Sequence, residues 1–83
     1  MRIDRPSDLG VVVRRRRREL RLTQQELAER LGVTRQWVIA LEAGSGSPRL
    51  DHVMHTMAEL SLALQITPLP TEDPFAYLRE GGA

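Results

Sequence analysis

A pair of short helices joined by a tight turn is predicted in the middle of the chain, and it constrains the fold more than any other feature. The sequence there is TQQELAERLGVTRQWVIALE, residues 23–42. Thr23 can cap the first helix, and Glu26 three residues later completes a capping box. Gly32 stands where that helix must end and the chain must reverse, a position that favours a residue free to adopt positive φ. Thr34 can then cap the second helix. The two helices are expected at roughly 24–31 and 35–42.

The second helix of this pair separates an apolar face from a polar one. Val38 and Leu41 fall on its inner side at i and i+3, whereas Arg35 and Gln36 are left facing outwards. Arginine and glutamine are the side chains that bond guanine and adenine edges bidentately in the major groove of DNA. The pattern therefore indicates a helix-turn-helix whose second helix contacts DNA bases. We prefer this interpretation to the alternative, in which both side chains serve only solubility.

Size and charge are consistent with a small nucleic-acid-binding domain. The 83 residues make one domain, near the lower limit of what folds unaided. Residues 1–49 hold eleven arginines against six acids, and residues 50–83 hold one arginine against five acids. The balances are +5 and −4, which sum to the net charge of +1. A basic half at the helix-turn-helix and an acidic half away from it are typical of a DNA-binding module with a separate partner surface.

Several other classes of function are disfavoured by what the sequence lacks. No cysteine is present, which excludes disulfides and suits the reducing cytoplasm, where we expect the protein. No apolar run approaches membrane-spanning length, and the first eight residues are polar, so neither a membrane nor a signal peptide is expected. No nucleophile–base set, carboxylate pair or phosphate loop appears, so we expect no enzyme and no cofactor. His52 and His55 lack further ligands, so no metal is expected.

Four helices are expected in the DNA-binding domain, residues 7–60, which follows a flexible amino-terminal segment, residues 1–6. Ser7 can cap the first helix. Gly10 weakens that helix by about 1 kcal/mol relative to alanine. The fourth helix, at roughly 50–60, has apolar residues at helical spacing along one face.

Past the fourth helix the period changes from helical to alternating. Leu62, Leu64 and Ile66 alternate with small or polar residues, and Pro68 ends the run, which predicts a strand within residues 61–68. Leucine and alanine also suit a helix, which is the alternative here. No second strand is apparent, and a lone strand would leave backbone groups unpaired. Pairing with the same strand of another copy across a twofold axis is the simplest remedy. The predicted fold class is therefore mainly α, with one strand that pairs across a homodimer.

The carboxy-terminal tail, residues 69–83, is acidic and contains three large apolar residues within residues 75–78. Asp73 and Pro74 could begin one short helix there. The tail could equally be disordered in isolation. Its apolar side chains could dock on a partner protein; these are Phe75, Tyr77 and Leu78.

The segment LTQQELAERLGVTRQWVIALEAG, residues 22–44, resembles the helix-turn-helix of the XRE/Cro/C1 regulators, the group that includes the lambdoid phage repressors. The likeness covers Leu9 to about Leu60. The segment LALQIT that follows resembles the HipB-type antitoxins, in which such a segment is a strand that completes a dimer. The resemblance implies a lambda-repressor-like bundle and a homodimeric repressor of double-stranded DNA. It also implies a partner, a HipA-type serine/threonine kinase toxin.

The resemblance also implies roles for single residues. Base contacts are implied for Thr34, Arg35, Gln36 and Ala40. Phosphate contacts are implied for Gln24, Ser45, Ser47 and Arg49, and the arginine run itself suggests Arg14 and Arg18 as further phosphate contacts. A partly buried salt bridge is implied for Arg17 and Glu42. The arginine run, residues 14–18, covers more than one helical turn, so its members cannot all face one way. At most two of them besides Arg17 are expected near phosphates, and the alternative for the others is a solvated helix face.

Two other functions remain open at this point. In one, the protein is an antitoxin whose main act is to bind and restrain the kinase, with repression secondary. In the other, it is a solitary regulator with no toxin. The acidic second half of the chain favours the first of these.

Overall fold

The computed structural model describes residues 2–68 and residue 78. Residues 2–68 form four α-helices and no strand; the helices are α1 (Pro6–Glu19), α2 (Gln24–Leu31), α3 (Arg35–Ala43) and α4 (Leu50–Glu59). Both α1 and α2 pack against α3, and α4 packs against α2. The predicted mainly α class is thus confirmed over this part of the chain. None of the helices in the described residues is long and apolar enough to span a bilayer.

A single apolar core holds the four helices together. Its buried members come from every helix and from the residues that follow α1 and α4; they are Val13, Leu22, Leu27, Ala28, Leu31, Val38, Leu41, Met57 and Leu60. Trp37 packs partly buried against this cluster. Each fully buried leucine or valine stabilises the fold by about 1.5–3 kcal/mol relative to its exposed state. The core fixes the inner side of α3 and leaves the opposite side free for other contacts.

The caps predicted for α2 and α3 are present. The Thr23 hydroxyl accepts from the Glu26 amide at 3.0 Å, and the Glu26 carboxylate accepts from the Thr23 amide at 3.0 Å. Gly32 ends α2 with φ 69°. The Thr34 hydroxyl accepts from the Trp37 amide at 3.1 Å. These local bonds satisfy amides that the first helical turn leaves without partners. The helix-turn-helix therefore forms with the predicted bounds, except that α3 continues one residue further, to Ala43.

The start of α1 differs from the prediction. The helix begins at Pro6, with Arg5 as its N-cap, so the expected cap at Ser7 is wrong. The Asp8 carboxylate accepts from the amides of Asp4 and Arg5, both at 3.0 Å. These two bonds lower the pKa of Asp8. Proline is favoured at the first helical position because its missing N–H is not needed there. The first helix therefore begins one residue before the expected cap.

Gly10 lies where α1 crosses the end of α3. A Cβ atom at this position would overlap the carbonyl oxygen of Glu42 and lie 2.7 Å from that of Leu41. The glycine therefore permits the two backbones to approach closely. Its cost in helix propensity is local, whereas its benefit is the packing of α1 on α3.

The residues after α4 do not form the predicted strand within the described chain. Arg16 ties the end of α4 to α1, because its Nε donates to the Leu60 carbonyl at 2.8 Å. Leu62 packs partly buried against its own core, whereas Leu64 and Ile66 remain 57% and 86% exposed. Leu62 is therefore already partly covered by its own chain, and a strand between two copies stays a prediction. A strand also needs a ladder partner, and among residues 2–68 none pairs with this segment. The tail helix considered for residues 69–83 lies almost entirely outside the described residues.

Candidate nucleic-acid interface

The outer side of α3 presents the residues for which base contacts were expected. Thr34, Arg35 and Gln36 are all exposed at the amino-terminal end of the helix. The Thr34 hydroxyl uses an acceptor site for its cap, so its proton is left to donate elsewhere. Ala40 is half-buried, one turn beyond Gln36. The arrangement places polar donors and acceptors at the end of α3 that enters a groove first in helix-turn-helix proteins.

A concave surface beside these residues is rich in arginine, and we call it the basic groove. It is lined from α1, α2 and α3 by Arg14, Arg17, Arg18, Thr23, Gln24, Gln25, Arg35, Ile39, Glu42 and Ala43. Arg14, Arg18 and Arg35 are exposed. Three exposed guanidinium groups around one groove create a positive potential that attracts phosphate. Two of the expected phosphate contacts, Arg14 and Arg18, therefore lie together, and they lie on the same groove as Arg35.

A buried ion pair between Arg17 and Glu42 lines part of the basic groove. Arg17 Nε donates to Glu42 Oε2 at 2.6 Å, and Arg17 Nη2 donates to Glu42 Oε1 at 3.1 Å. The two side chains are only 9% and 4% exposed. This is a bidentate pair of the kind that arginine forms best, with two parallel charge-assisted bonds. The structure thus brings together the two residues that the resemblance paired.

The same arginine also fixes the turn between α1 and α2. Arg17 Nη1 donates to the Leu22 carbonyl at 2.8 Å. One guanidinium therefore joins α1, the turn before α2 and the end of α3. A buried pair of this kind adds little net stability, but removal of one partner leaves a buried charge. Its clearest consequence is positional, because it sets the start of α2 relative to α3.

Gln24, at the first position of α2, is attached to this ion pair. Its side-chain Nε2 lies 3.2 Å from Glu42 Oε1, which also accepts from Arg17. The residue is half-buried and lines the basic groove. The side chain for which a phosphate contact was expected is thus oriented by a bond within its own chain.

Two side chains of the loop after α3 already form hydrogen bonds within the chain. The Ser45 hydroxyl donates to the Ala40 carbonyl at 3.2 Å. Arg49 forms a bidentate pair with Asp51, at 3.1 and 2.9 Å. Ser47 is exposed. Of the three side chains for which phosphate contacts were expected here, two therefore already have partners within the chain, and the charge of Arg49 is partly neutralised.

Four residues that line the basic groove were not among the predicted site residues; they are Thr23, Gln25, Ile39 and Ala43. Ile39 follows Arg35 by four residues and therefore lies on the same side of α3. This four-residue spacing in the sequence could have predicted that Ile39 shares a face with Arg35. An apolar side chain at this point can contact a thymine methyl group.

The two histidines of α4 have partners other than a metal. The ring of His52 meets Trp37 edge-on, with centroids 5.8 Å apart. His55 Nε2 lies 3.6 Å from a Glu59 carboxylate oxygen. Within the described residues, no three metal-binding side chains come together.

Comparisons with known proteins agree with this geometry. The sequence matches the helix-turn-helix domain family over residues 8–64. It is 64% identical over 42 residues to a helix-turn-helix-type transcriptional regulator of Methanothermobacter thermautotrophicus, a match that covers 51% of this chain and 61% of that protein. It is also 35% identical over 65 residues to the helix-turn-helix-type transcriptional regulator y4mF of Sinorhizobium fredii, which covers 78% of this chain and 86% of the relative.

Proposed function

The chain belongs to the helix-turn-helix domain family, and we propose that it is a sequence-specific transcriptional repressor that binds a near-palindromic operator as a homodimer. The observation that carries this proposal is the exposed pair Arg35 and Gln36 on α3, beside the basic groove. Guanidinium and carboxamide groups at the start of a capped, core-anchored helix suit base edges in the major groove. The relatives, which are named as transcriptional regulators, support the same class.

In this proposal the two kinds of contact are divided between two sets of side chains. Arg35 and Gln36, with Thr34 and Ala40, contact bases and set the choice of sequence. Gln24, Arg14 and Arg18 contact phosphates and set affinity and its salt dependence. Ser45, Ser47 and Arg49 add phosphate contacts when the loop meets the backbone. The two α3 helices of a dimer then occupy half-sites about 34–36 Å apart.

The homodimer is proposed to form through the segment after α4. Leu64 and Ile66 are exposed apolar residues two apart, so in an extended chain they share a face. Pairing of this segment with its copy, including Leu62, would cover both side chains and supply the missing ladder partner. Arg16 supports this role because its bond to Leu60 fixes the point at which the segment leaves the core.

The biological setting we propose is that of an antitoxin in a HipBA-type toxin–antitoxin operon, partnered with a HipA-type serine/threonine kinase. The support is the resemblance of the helix-turn-helix and the segment LALQIT to HipB-type antitoxins. The acidic second half of the chain favours a variant in which restraint of the kinase is the main act. Deletion of residues 70–83 separates the two. A tail needed only for the kinase leaves operator binding intact while kinase binding falls, and survival of both activities would contradict a docking role.

The division between base and phosphate contacts is tested by two matched arginine variants. Arg35→Ala should cost about 1–3 kcal/mol on the promoter of its own gene and much less on a scrambled duplex, because only base contacts distinguish the two. Arg14→Ala should weaken binding to both duplexes equally. Fluorescence anisotropy titrations at fixed salt measure both. An equal loss on the two duplexes for Arg35→Ala would make that side chain a phosphate contact and would remove the main support for sequence recognition.

A further inference from the structure

The basic groove contains an acid where a phosphate-binding surface should have none. Glu42 lines the groove together with three exposed arginines. An unpaired carboxylate at this point would repel DNA phosphates. Arg17 removes that penalty, because two of its nitrogens bond the two oxygens of Glu42 at 2.6 and 3.1 Å. The negative charge of Glu42 is therefore neutralised by Arg17. The carboxylate can then take part in DNA binding through its other hydrogen bond, to Gln24.

The bond between Glu42 and Gln24 determines which end of the Gln24 side-chain amide faces the carboxylate. An ionised carboxylate has acceptors only, so the end of the Gln24 amide that faces it must be the nitrogen. The 3.2 Å contact between Gln24 Nε2 and Glu42 Oε1 is of this kind. A free glutamine could present either its oxygen or its nitrogen to a ligand, and an oxygen would repel a phosphate.

We propose that Glu42 is a positioning residue that makes Gln24 a dedicated donor to DNA phosphate. The amide nitrogen carries two N–H groups, and Glu42 engages one of them. The second remains for a phosphate oxygen in the groove that Gln24 lines. Arg17 holds Glu42, Glu42 holds Gln24, and Gln24 bonds the phosphate. This inference rests on the proposed DNA binding and deepens it. It assigns a role in that binding to Glu42, although its carboxylate is negatively charged like the DNA phosphates.

The neighbouring residue provides a matched control on the same helix. Gln25 Nε2 lies 3.2 Å from Glu29 Oε1, the same separation as in the Gln24 pair. Both of those residues are exposed. The Gln25 bond therefore competes with water and does not fix its amide, whereas the Gln24 bond is sheltered by the ion pair.

A double-mutant cycle tests the coupling directly. The probe is an arbitrary duplex of about 20 base pairs, because phosphate contacts do not depend on sequence. Gln24→Ala should weaken binding about five-fold when Glu42 is present, the value of one hydrogen bond. In the Glu42→Gln background the same change should cost no more than about two-fold, because the amide is no longer oriented. The control cycle with Gln25→Ala and Glu29→Gln should show no coupling. An equal cost of Gln24→Ala in both backgrounds would overturn the proposal.

A second measurement needs no change to the ion pair, in case Glu42→Gln does not fold. In the wild-type protein, NMR should show one Gln24 side-chain amide proton that exchanges more slowly than either proton of Gln25. Addition of the same duplex should shift the resonance of the other Gln24 proton. Two Gln24 protons that exchange as fast as those of Gln25, or that do not respond to bound DNA, would contradict the proposal. A chain that binds no duplex at all would instead remove the proposed function, so the two failures are distinguishable.

Discussion

The helix-turn-helix and the segment after α4 differ in how fully contacts within one chain cap their backbone and cover their apolar side chains. In residues 23–44, each helix has a side-chain cap at its start, a buried face against the core and a glycine at its end. In residues 62–68 there is no regular structure, and Leu64 and Ile66 are exposed. The first region is complete within a monomer. The second has apolar side chains that the described part of the chain leaves uncovered.

This difference separates the properties of a single chain from those of the proposed dimer. The geometry of the recognition surface depends on contacts within one chain, above all the bonds from Arg17 to Leu22 and Glu42. In the proposed dimer, the spacing of two such surfaces on DNA would depend on the second region and on another copy. Changes in the first region should therefore alter the stability of the monomer, and changes in the second should alter association.

The largest effect is expected from Arg17→Ala. The change leaves the Glu42 carboxylate buried without its cation and frees the Leu22 carbonyl. We expect a loss of about 3–5 kcal/mol in the free energy of unfolding, measured by urea denaturation. Arg15→Ala is the control, because Arg15 is an exposed member of the same arginine run and should cost no more than about 0.5 kcal/mol. Equal midpoints for the two variants would show that the ion pair does not hold the three helices together.

A smaller loss is expected from Gly10→Ala, although helix propensity alone predicts a gain of about 1 kcal/mol. The added methyl group would overlap the Glu42 carbonyl and force α1 away from α3. We expect a net destabilisation of about 1–3 kcal/mol by the same denaturation experiment. A more stable variant would mean that the helices do not approach as closely as described.

Gly10 also shows where prediction from the sequence reached its limit. The bounds of α2 and α3 could be predicted because Thr23, Glu26 and Thr34 act within one turn of the residues they cap. The loss of helix propensity at Gly10 is local and was predicted. The contact that requires a glycine there is with α3, about thirty residues away, and it was not predicted. The start of α1 was missed because the cap comes from Asp8, inside the helix, and not from the residue before it.

The candidate site could be predicted only in part for the same reason. The pairing of Arg17 with Glu42 came from a resemblance, not from the pattern of residues. The bond between Gln24 and Glu42 spans 18 positions and has no local signature. The strand after α4 stays a prediction, because its ladder partner would be another copy. Alternation gives the faces of an extended segment, but it did not show that Leu62 packs against the core of its own chain.

The second region is tested by Leu64→Pro. Proline removes the backbone donor at this position and fixes φ, so it is incompatible with a paired central strand. We expect the dimer to weaken at least about ten-fold, measured by sedimentation equilibrium, with the unfolding of the monomer unchanged. Leu64→Val keeps the donor and should leave the dimer intact. A dimer of the proline variant that persists at micromolar concentration would contradict pairing through this segment.

The smallest effect is expected from the capping box of α2. The Thr23 amide and then the Thr23 hydroxyl lower the pKa of Glu26. The stabilisation from its carboxylate is therefore present above the pKa of the unfolded chain and is lost as the pH falls through the lowered value. Stability should decline less steeply below about pH 5 in Glu26→Gln than in the wild type, because the glutamine amide does not titrate. Identical acid limbs for Glu26→Gln and the wild type would show that the box contributes nothing.

The most direct test of the whole account is sedimentation of the purified protein with a fragment of its own promoter and with a scrambled duplex, each at two salt concentrations. The account predicts two chains for each promoter fragment, much weaker binding to the scrambled duplex, and a loss of affinity as salt rises because phosphate contacts release counterions. A monomer that binds both duplexes alike, or neither, would contradict it.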